Sequence, residues 1–416
     1  MSTTLSAAST SAPRIASLDF IRGTAMILMA IDHVRVYSGI PAGGPTPAVF
    51  FTRWITHFCA PAFIFLAGTG IFLYRRKHAD VSSYLLSRGL WLVLLEFTYL
   101  RVAWTFNFDF RHYEMAGVIW VIGCCMILMA ALVKLPVPIV GAIGVAIIAG
   151  HNLMDSHMDK LLDALYENRL SGFASALWKI FYVGFFAGPI QFSPNGPNLT
   201  VLYSIIPWIG VMAAGYAFAT IVLLEAKQRK RLCLVIGFSA IALFLLLRGF
   251  NLYGDPRPWH AAAQGRNGLP PMPAWLSFLN TTKYPASLDF LLMTLGPVIA
   301  LIPLLESLLG GAREKMIATV ARQVTVFGRV PFFYYMLHIP LIHALALVVS
   351  KIRLGFVSPW LFTNHPMGNP EPPAGYVWSL PLLYLVWGIA IGVLYFPCRW
   401  FAERKATSNN AWLKYL

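Results

Sequence analysis

The chain is 416 residues long, 58% hydrophobic and only 12% charged, with a mean hydropathy of +0.65. That is about half the charge fraction of a soluble protein of this size and marks a polytopic membrane protein. The formal charge of +15 does not indicate nucleic-acid binding, because Lys and Arg sit in short clusters between apolar runs, which is how membrane orientation is written.

In chain order, residues 1–13 are small, polar and uncharged apart from the terminal amine. They lack the basic region and apolar core of a signal peptide and read as a disordered tail. Windows of about 20 apolar residues then predict an all-α bundle of roughly ten spans, near 20–39, 54–74, 88–106, 116–134, 136–150, 200–224, 231–250, 286–309, 327–350 and 377–398. Between them, Trp178 to Phe192 is too interrupted by Gly and Pro for an ordinary span and reads as re-entrant or interfacial, with eleven spans as the alternative count. An even count places both termini on one side. The short loops of that side carry Arg75-Arg76-Lys77, Lys134, Lys227 to Arg231, Arg313 with Lys315 and Arg322, and the closing Arg399, Arg404 and Lys405. The bias of basic residues makes that side cytoplasmic. The opposite loops, 151–199 and 251–285 above all, are long and rich in Pro, Gly, Asn and aromatics, as functional loops are. Residues 14–405 read as one transmembrane domain and 406–416 as a cytoplasmic tail.

Ionisable groups inside apolar spans are costly and mark sites or internal pairs. The opening helix carries Asp19 and Arg22 near one end and Asp32, His33 and Arg35 near the other, with Asp19 and His33 roughly 21 Å apart along the axis. Asp19 and Arg22, and Asp32 and Arg35, are spaced i, i+3 and are expected to pair. His33 is the candidate general base, since an imidazole near neutral pH accepts a proton from an alcohol or amine and returns it. His57, His338 and Lys283 are further catalytic candidates: a second base or donor, a buried intramembrane histidine, and a cation for an oxyanion or an acceptor carboxylate or phosphate. Arg22, Arg75, Arg76, Arg88 and Arg329 flank the cytoplasmic side and suit diphosphate recognition. Asp289 lies within an apolar span and needs a partner. Pro61 and Gly68 are expected to give a kink and a close helix contact. Each candidate also has a plainer reading as an interfacial, snorkelling or core-satisfied group. Cys59, Cys124, Cys125, Cys233 and Cys398 have neither the number nor the spacing of a disulfide framework or zinc site, and no metal is implied.

LDFIRGTAMILMAIDH at 18–33, THFCAPAFIFLAG at 56–68, TTKYPASLDFLLMTLGP at 281–297, GRVPFFYYMLHIPLIH at 328–343 and YFPCRWFAERK at 395–405, in that order, resemble the heparan-α-glucosaminide N-acetyltransferase-like family. The opening motif is more distantly similar to integral-membrane acyltransferases that O-acetylate surface polysaccharides. The resemblance implies transfer of an acyl group, acetyl above all, from cytosolic acyl-coenzyme A to a sugar hydroxyl or amine across the membrane. It places His33 where the polysaccharide enzymes hold their catalytic histidine. In the heparan enzyme this position aligns with an asparagine and the active histidine falls in the following loop, which here contains none. Either His33 takes over as base, or the reaction is not the heparan one.

The expectation is therefore an acyl-coenzyme A-dependent O- or N-acetyltransferase with a carbohydrate or glycolipid acceptor, in a bacterial inner membrane, with a homodimer allowed. The rival is a solute transporter or lipid-linked sugar flippase using the same polar groups; no internal symmetry supports it.

Overall fold

The computed structural model describes residues 16–43, 46–167, 169–260, 273–311, 315–367 and 370–408. The predicted tail at 1–13 and most of 406–416 lie outside them. The described residues are 76% helical. Among the described residues seven helices are long and apolar enough to cross a membrane: Pro47–Arg75, Val137–Tyr166, Ile205–Val222, Ala226–Gly249, Leu288–Leu309, Pro331–Leu354 and Leu380–Thr407. The other three predicted windows also fall on helix, at Ala16–Ser38, at Val81–Leu95 continuing through Glu96–Leu100 and Arg101–Thr105, and at Val118–Leu132.

The opening helix sits at the centre, against Pro47–Arg75, Leu288–Gly311, Lys315–Arg329, Pro331–Leu354 and Leu380–Thr407. Its crossing with Lys315–Arg329 is made by glycine. A Cβ on Gly23 would stand 2.0 Å from the Val324 carbonyl oxygen, and one on Gly328 would stand 1.8 Å from that of Asp19. Backbones approach this closely only where both side chains are absent. One contiguous apolar core runs from Leu18 to Phe401, and a smaller one joins Leu165, Tyr182, Val183 and Ala187 beneath the 151–199 region.

Prolines inside the helices leave carbonyls that must be satisfied elsewhere. Pro61 cannot donate to the His57 carbonyl, and the helix tightens to 3₁₀ geometry over Ile55–Phe58. Pro340 cannot donate to Met336, whose carbonyl instead accepts the Tyr99 hydroxyl at 2.8 Å. Gly68 makes the close contact expected of it, since its Cβ would meet the Met212 carbonyl oxygen at 2.0 Å.

Two predicted features are corrected, and a third is described in more detail. The window 327–350 is two helices: an amphipathic one, Lys315–Arg329, ends with Arg329, and the apolar one starts at Pro331. Val330 between them has φ −132 and ψ 50, because a residue before proline is driven out of the α region. The fold is also not wholly helical. Strands Glu114–Ala116 and Asn198–Val201 pair in parallel, and Ile190–Gln191 joins antiparallel. Strands of two to four residues paired across this separation leave no periodicity to read. The stretch 178–192 is a broken helix, Gly172–Ala187, whose π turn Lys179–Val183 ends at Gly184 with φ +66. Sixteen residues span about 24 Å at most, short of a ~30 Å hydrocarbon core.

Candidate active site

Two cavities lie on either side of the opening helix's midpoint. The larger, about 630 Å³, is lined by His33, Asp32, Arg35, Arg53, Glu96, Lys283, Tyr284, Tyr335 and His365 among others. The smaller, about 320 Å³, is largely apolar and carries Arg22 and Arg88 on its wall. Phe63, Val118 and Tyr335 line both, so the two meet at one constriction. A single helix thus delivers a guanidinium to one cavity and an imidazole to the other.

Beside the large cavity stands a pair of histidines 305 positions apart. His33 Nδ1 lies 2.6 Å from His338 Nε2. His338 Nδ1 faces the Tyr335 carbonyl oxygen at 2.7 Å and that of Tyr334 at 3.2 Å. A carbonyl only accepts, so His338 Nδ1 carries the proton and, in the neutral ring, Nε2 is an acceptor. His33 Nδ1–H therefore donates to it, and the lone pair of His33 resides on Nε2. Trp104 at 4.8 Å and Tyr335 at 6.3 Å meet the His33 ring edge-on and fix its plane. The arrangement holds a neutral imidazole in one tautomer with its basic nitrogen uncommitted.

Both expected pairs on this helix form. Asp32 accepts from Arg35 Nε at 2.7 Å, and Arg35 also donates to the Ile40 carbonyl. Asp19 accepts from Arg22 at 3.2 Å, while Arg22 Nη2 donates to the Leu66 carbonyl at 3.1 Å. Arg88 lies over the Phe332 ring, 4.9 Å from its centroid. Arg75 donates to the Tyr216 hydroxyl at 2.5 Å; it and Arg76 are exposed just beyond Tyr74, which lines the small cavity. Arg329 is exposed and does not line either cavity.

Lys283 is 8% exposed, lines the large cavity, and lies over the rings of Tyr284 and Tyr203 at 5.2 and 5.9 Å. Asp255 fixes the turn that carries it, accepting from Thr282 N at 2.7 Å, Thr282 Oγ1 at 2.7 Å and Ser287 Oγ at 2.9 Å. Burial alone would raise the Tyr284 hydroxyl, but Lys283 and Arg53 beside it bring it below its ordinary value. His57 lines neither cavity; it is buried against Phe290, ring centroids 5.5 Å apart, with Nδ1 unpartnered. Asp289 stands in the first turn of Leu288–Gly311, away from both cavities, with Oδ1 unpartnered.

Four residues of the large cavity were not singled out from sequence. Glu96 lies in the π turn Glu96–Leu100 and accepts from Trp120 N at 2.8 Å, capping the helix that begins at Val118. An acid inside an apolar window is the signal that could have found it. Arg53 has its Nε buried without a hydrogen-bond partner among the described residues. Tyr335 stands at the constriction. His365, 3% exposed, has no hydrogen-bond partner for either ring nitrogen among the described residues and lies against Trp360 at 4.0 Å. Burial, with His343 adding to it, pushes His365 down to about 3. It follows a 3₁₀ turn in an irregular loop, where no spacing rule reaches. Among the described residues no group of three or more His, Cys, Asp or Glu could hold a metal ion.

A comparison with curated proteins finds no match. A family model described as "Heparan-alpha-glucosaminide N-acetyltransferase, catalytic" matches residues 14–249, which includes His33, Arg22, Arg88 and Glu96 and stops before the helix that supplies His338. That match covers more than half of the 416 residues and includes the central helix with both of its cavity-lining groups; the chain belongs to the heparan-α-glucosaminide N-acetyltransferase catalytic family, an integral-membrane acetyltransferase family.

Proposed function

We propose that the protein moves an acetyl group from acyl-coenzyme A, bound from the cytoplasmic side, to a hydroxyl or amine held in the opposite cavity, with His33 as general base. The observation that carries this is the meeting of the two cavities at Phe63, Val118 and Tyr335, beside the His33–His338 pair. The basic loops favour the Arg22 side as cytoplasmic. The coenzyme's phosphates lie there, near Arg22 and Arg88 with Arg75 and Arg76 at the rim, and its pantetheine arm follows the apolar wall to the constriction. His33 Nε2 takes the proton as the acceptor oxygen or nitrogen attacks the thioester carbon. The carbon–sulfur bond breaks, and the imidazolium returns the proton to the departing thiolate. His338 holds the ring in the tautomer that makes this possible. Glu96 and His365 supply acceptor-side hydrogen-bonding groups.

Replacing His33 by Ala is expected to lower the turnover of acetyl transfer by about 10²–10⁴-fold while the protein remains monodisperse and still binds acetyl-coenzyme A. Arg22→Ala is expected to weaken acetyl-coenzyme A binding in calorimetry. Full turnover in the first variant removes the base assignment, and unchanged binding in the second removes the coenzyme placement.

A further inference from the structure

The large cavity is lined by Arg35, Arg53 and Lys283 and by Asp32, Glu96 and Glu371, yet Arg35 alone of the three cations makes an ion pair there among the described residues. Asp32 is committed to Arg35 and Glu96 to a backbone N–H. Lys283, 8% exposed, makes no hydrogen bond or ion pair among the described residues, and Arg53 makes none with its guanidinium, whose Nε is buried. Asp32 is close enough to act on both electrostatically but hydrogen-bonds Arg35, so the donors of Lys283 and Arg53 are left for an arriving anion, which gains charge-assisted hydrogen bonds from them.

A second observation concerns how such an anion arrives. Phe185 lines the same cavity, meets Tyr284 edge-on at 5.8 Å and stacks on Phe186 at 4.6 Å. Phe186 is 42% exposed, and along the broken helix Gly172–Ala187 so are Phe173 at 76%, Leu177 at 39% and Phe181 at 37%. Phe173, Leu177 and Phe181 follow one another at intervals of four, the spacing of a single helical face. The helix is apolar but too short to cross, which suits a segment lying in the membrane interface. It is continuous with a lipid-facing surface, for the preceding helix Val137–Tyr166 is only 22% buried over its apolar window, and the Tyr166 hydroxyl donates to the Phe186 carbonyl.

We propose that the acceptor is a membrane-borne anionic amphiphile, a hydroxyl- or amine-bearing headgroup joined through phosphate to a lipid chain. Its anion lies between Lys283 and Arg53, and its chain runs past Phe185 and Phe186 onto the exposed face of Gly172–Ala187. This names the acceptor class for the acetyl transfer proposed above and rests on that reading. Phe185 forms the step between the leaflet and the cavity. The headgroup hydroxyl or amine then reaches His33 without leaving the membrane surface.

The test is photo-crosslinking of the full-length protein in phosphatidylcholine nanodiscs containing a small fraction of phosphatidic acid with a diazirine at the end of one acyl chain. A matched set carries the diazirine on phosphatidylcholine, and labelled peptides are mapped by mass spectrometry. Labelling of the 173–187 peptide by phosphatidic acid is expected to exceed that by phosphatidylcholine at least about tenfold. It should fall to the phosphatidylcholine level in Lys283→Gln combined with Arg53→Gln and persist in Lys283→Arg, which keeps the charge. Equal labelling by the two lipids, or undiminished labelling in the double variant, overturns the proposal. So does complete protection by micromolar inorganic phosphate, which would make the site one for a soluble anion. Thermal stabilisation by acetyl-coenzyme A is recorded on the same samples. Its absence counts against the transfer reading, and the labelling pattern still decides the acceptor class on its own.

Discussion

His33 and His338 show how a backbone carbonyl sets the chemistry of a ring two residues away in space. The Tyr335 carbonyl fixes the proton on His338, His338 fixes the proton on His33, and the free lone pair is left on His33 Nε2. At the same scale His365 gives a pH signature, because it lies in a loop outside the spans and is held neutral by burial. Its folded value of about 3 lies below the ordinary value near 6.5, so between these two pH values the unfolded chain binds the extra proton. Stability is therefore unaffected above about pH 7 and declines as pH falls below 6.5. A single such proton is worth at most about 1.4 kcal/mol per pH unit. His365→Gln is expected to remove this slope: between pH 7 and 5 the apparent melting temperature of the wild type should fall further than that of the variant. Parallel curves would mean that the His365 ring is not held neutral.

At the scale of elements, the crossing of Ala16–Ser38 with Lys315–Arg329 sets where Arg22 and His33 lie, since Gly23 and Gly328 are the contact. Gly23→Ala is expected to cost about 1–3 kcal/mol through overpacking against the Val324 carbonyl, and to weaken acetyl-coenzyme A binding because Arg22 is the neighbouring residue. An unchanged melting midpoint and affinity would show that the crossing tolerates a methyl group. How much of this was legible in the sequence follows from the range of the interactions. Asp19–Arg22 and Asp32–Arg35 were readable because a helix fixes the i, i+3 distance. Most span positions were readable because apolar length against bilayer thickness is a local property. The break at Val330 was legible in principle from Pro331, yet an unbroken apolar reading of 327–350 passed over it. The short strands and the His33–His338 contact were not legible, because nothing local to residue 33 records what residue 338 does. Arg53 and His365 sit in a helix start and a loop whose partners are tertiary. His57 had the right residue type near the right end of a span, but its helical phase turns it to Phe290.

At the scale of the molecule, the central feature is a path rather than a residue. Two chambers of about 320 and 630 Å³ are stacked along the opening helix and share Phe63, Val118 and Tyr335 in their walls. In the proposed reaction a donor that cannot cross and an acceptor that does not enter the cytoplasm would meet at this constriction, so that neither molecule need be carried across. Membership of the acetyltransferase family and the tautomer held at His33 both fit that division of labour. The most direct measurement is a density map of the full-length His33→Ala variant with acetyl-coenzyme A, in which transfer is blocked and the donor is retained. The phosphates are expected beside Arg22 and Arg88, with the pantetheine arm between Phe63 and Tyr335 and the thioester facing the position vacated by the imidazole. Coenzyme A seated elsewhere, or stopped short of the constriction with the two chambers closed to one another, would contradict the account.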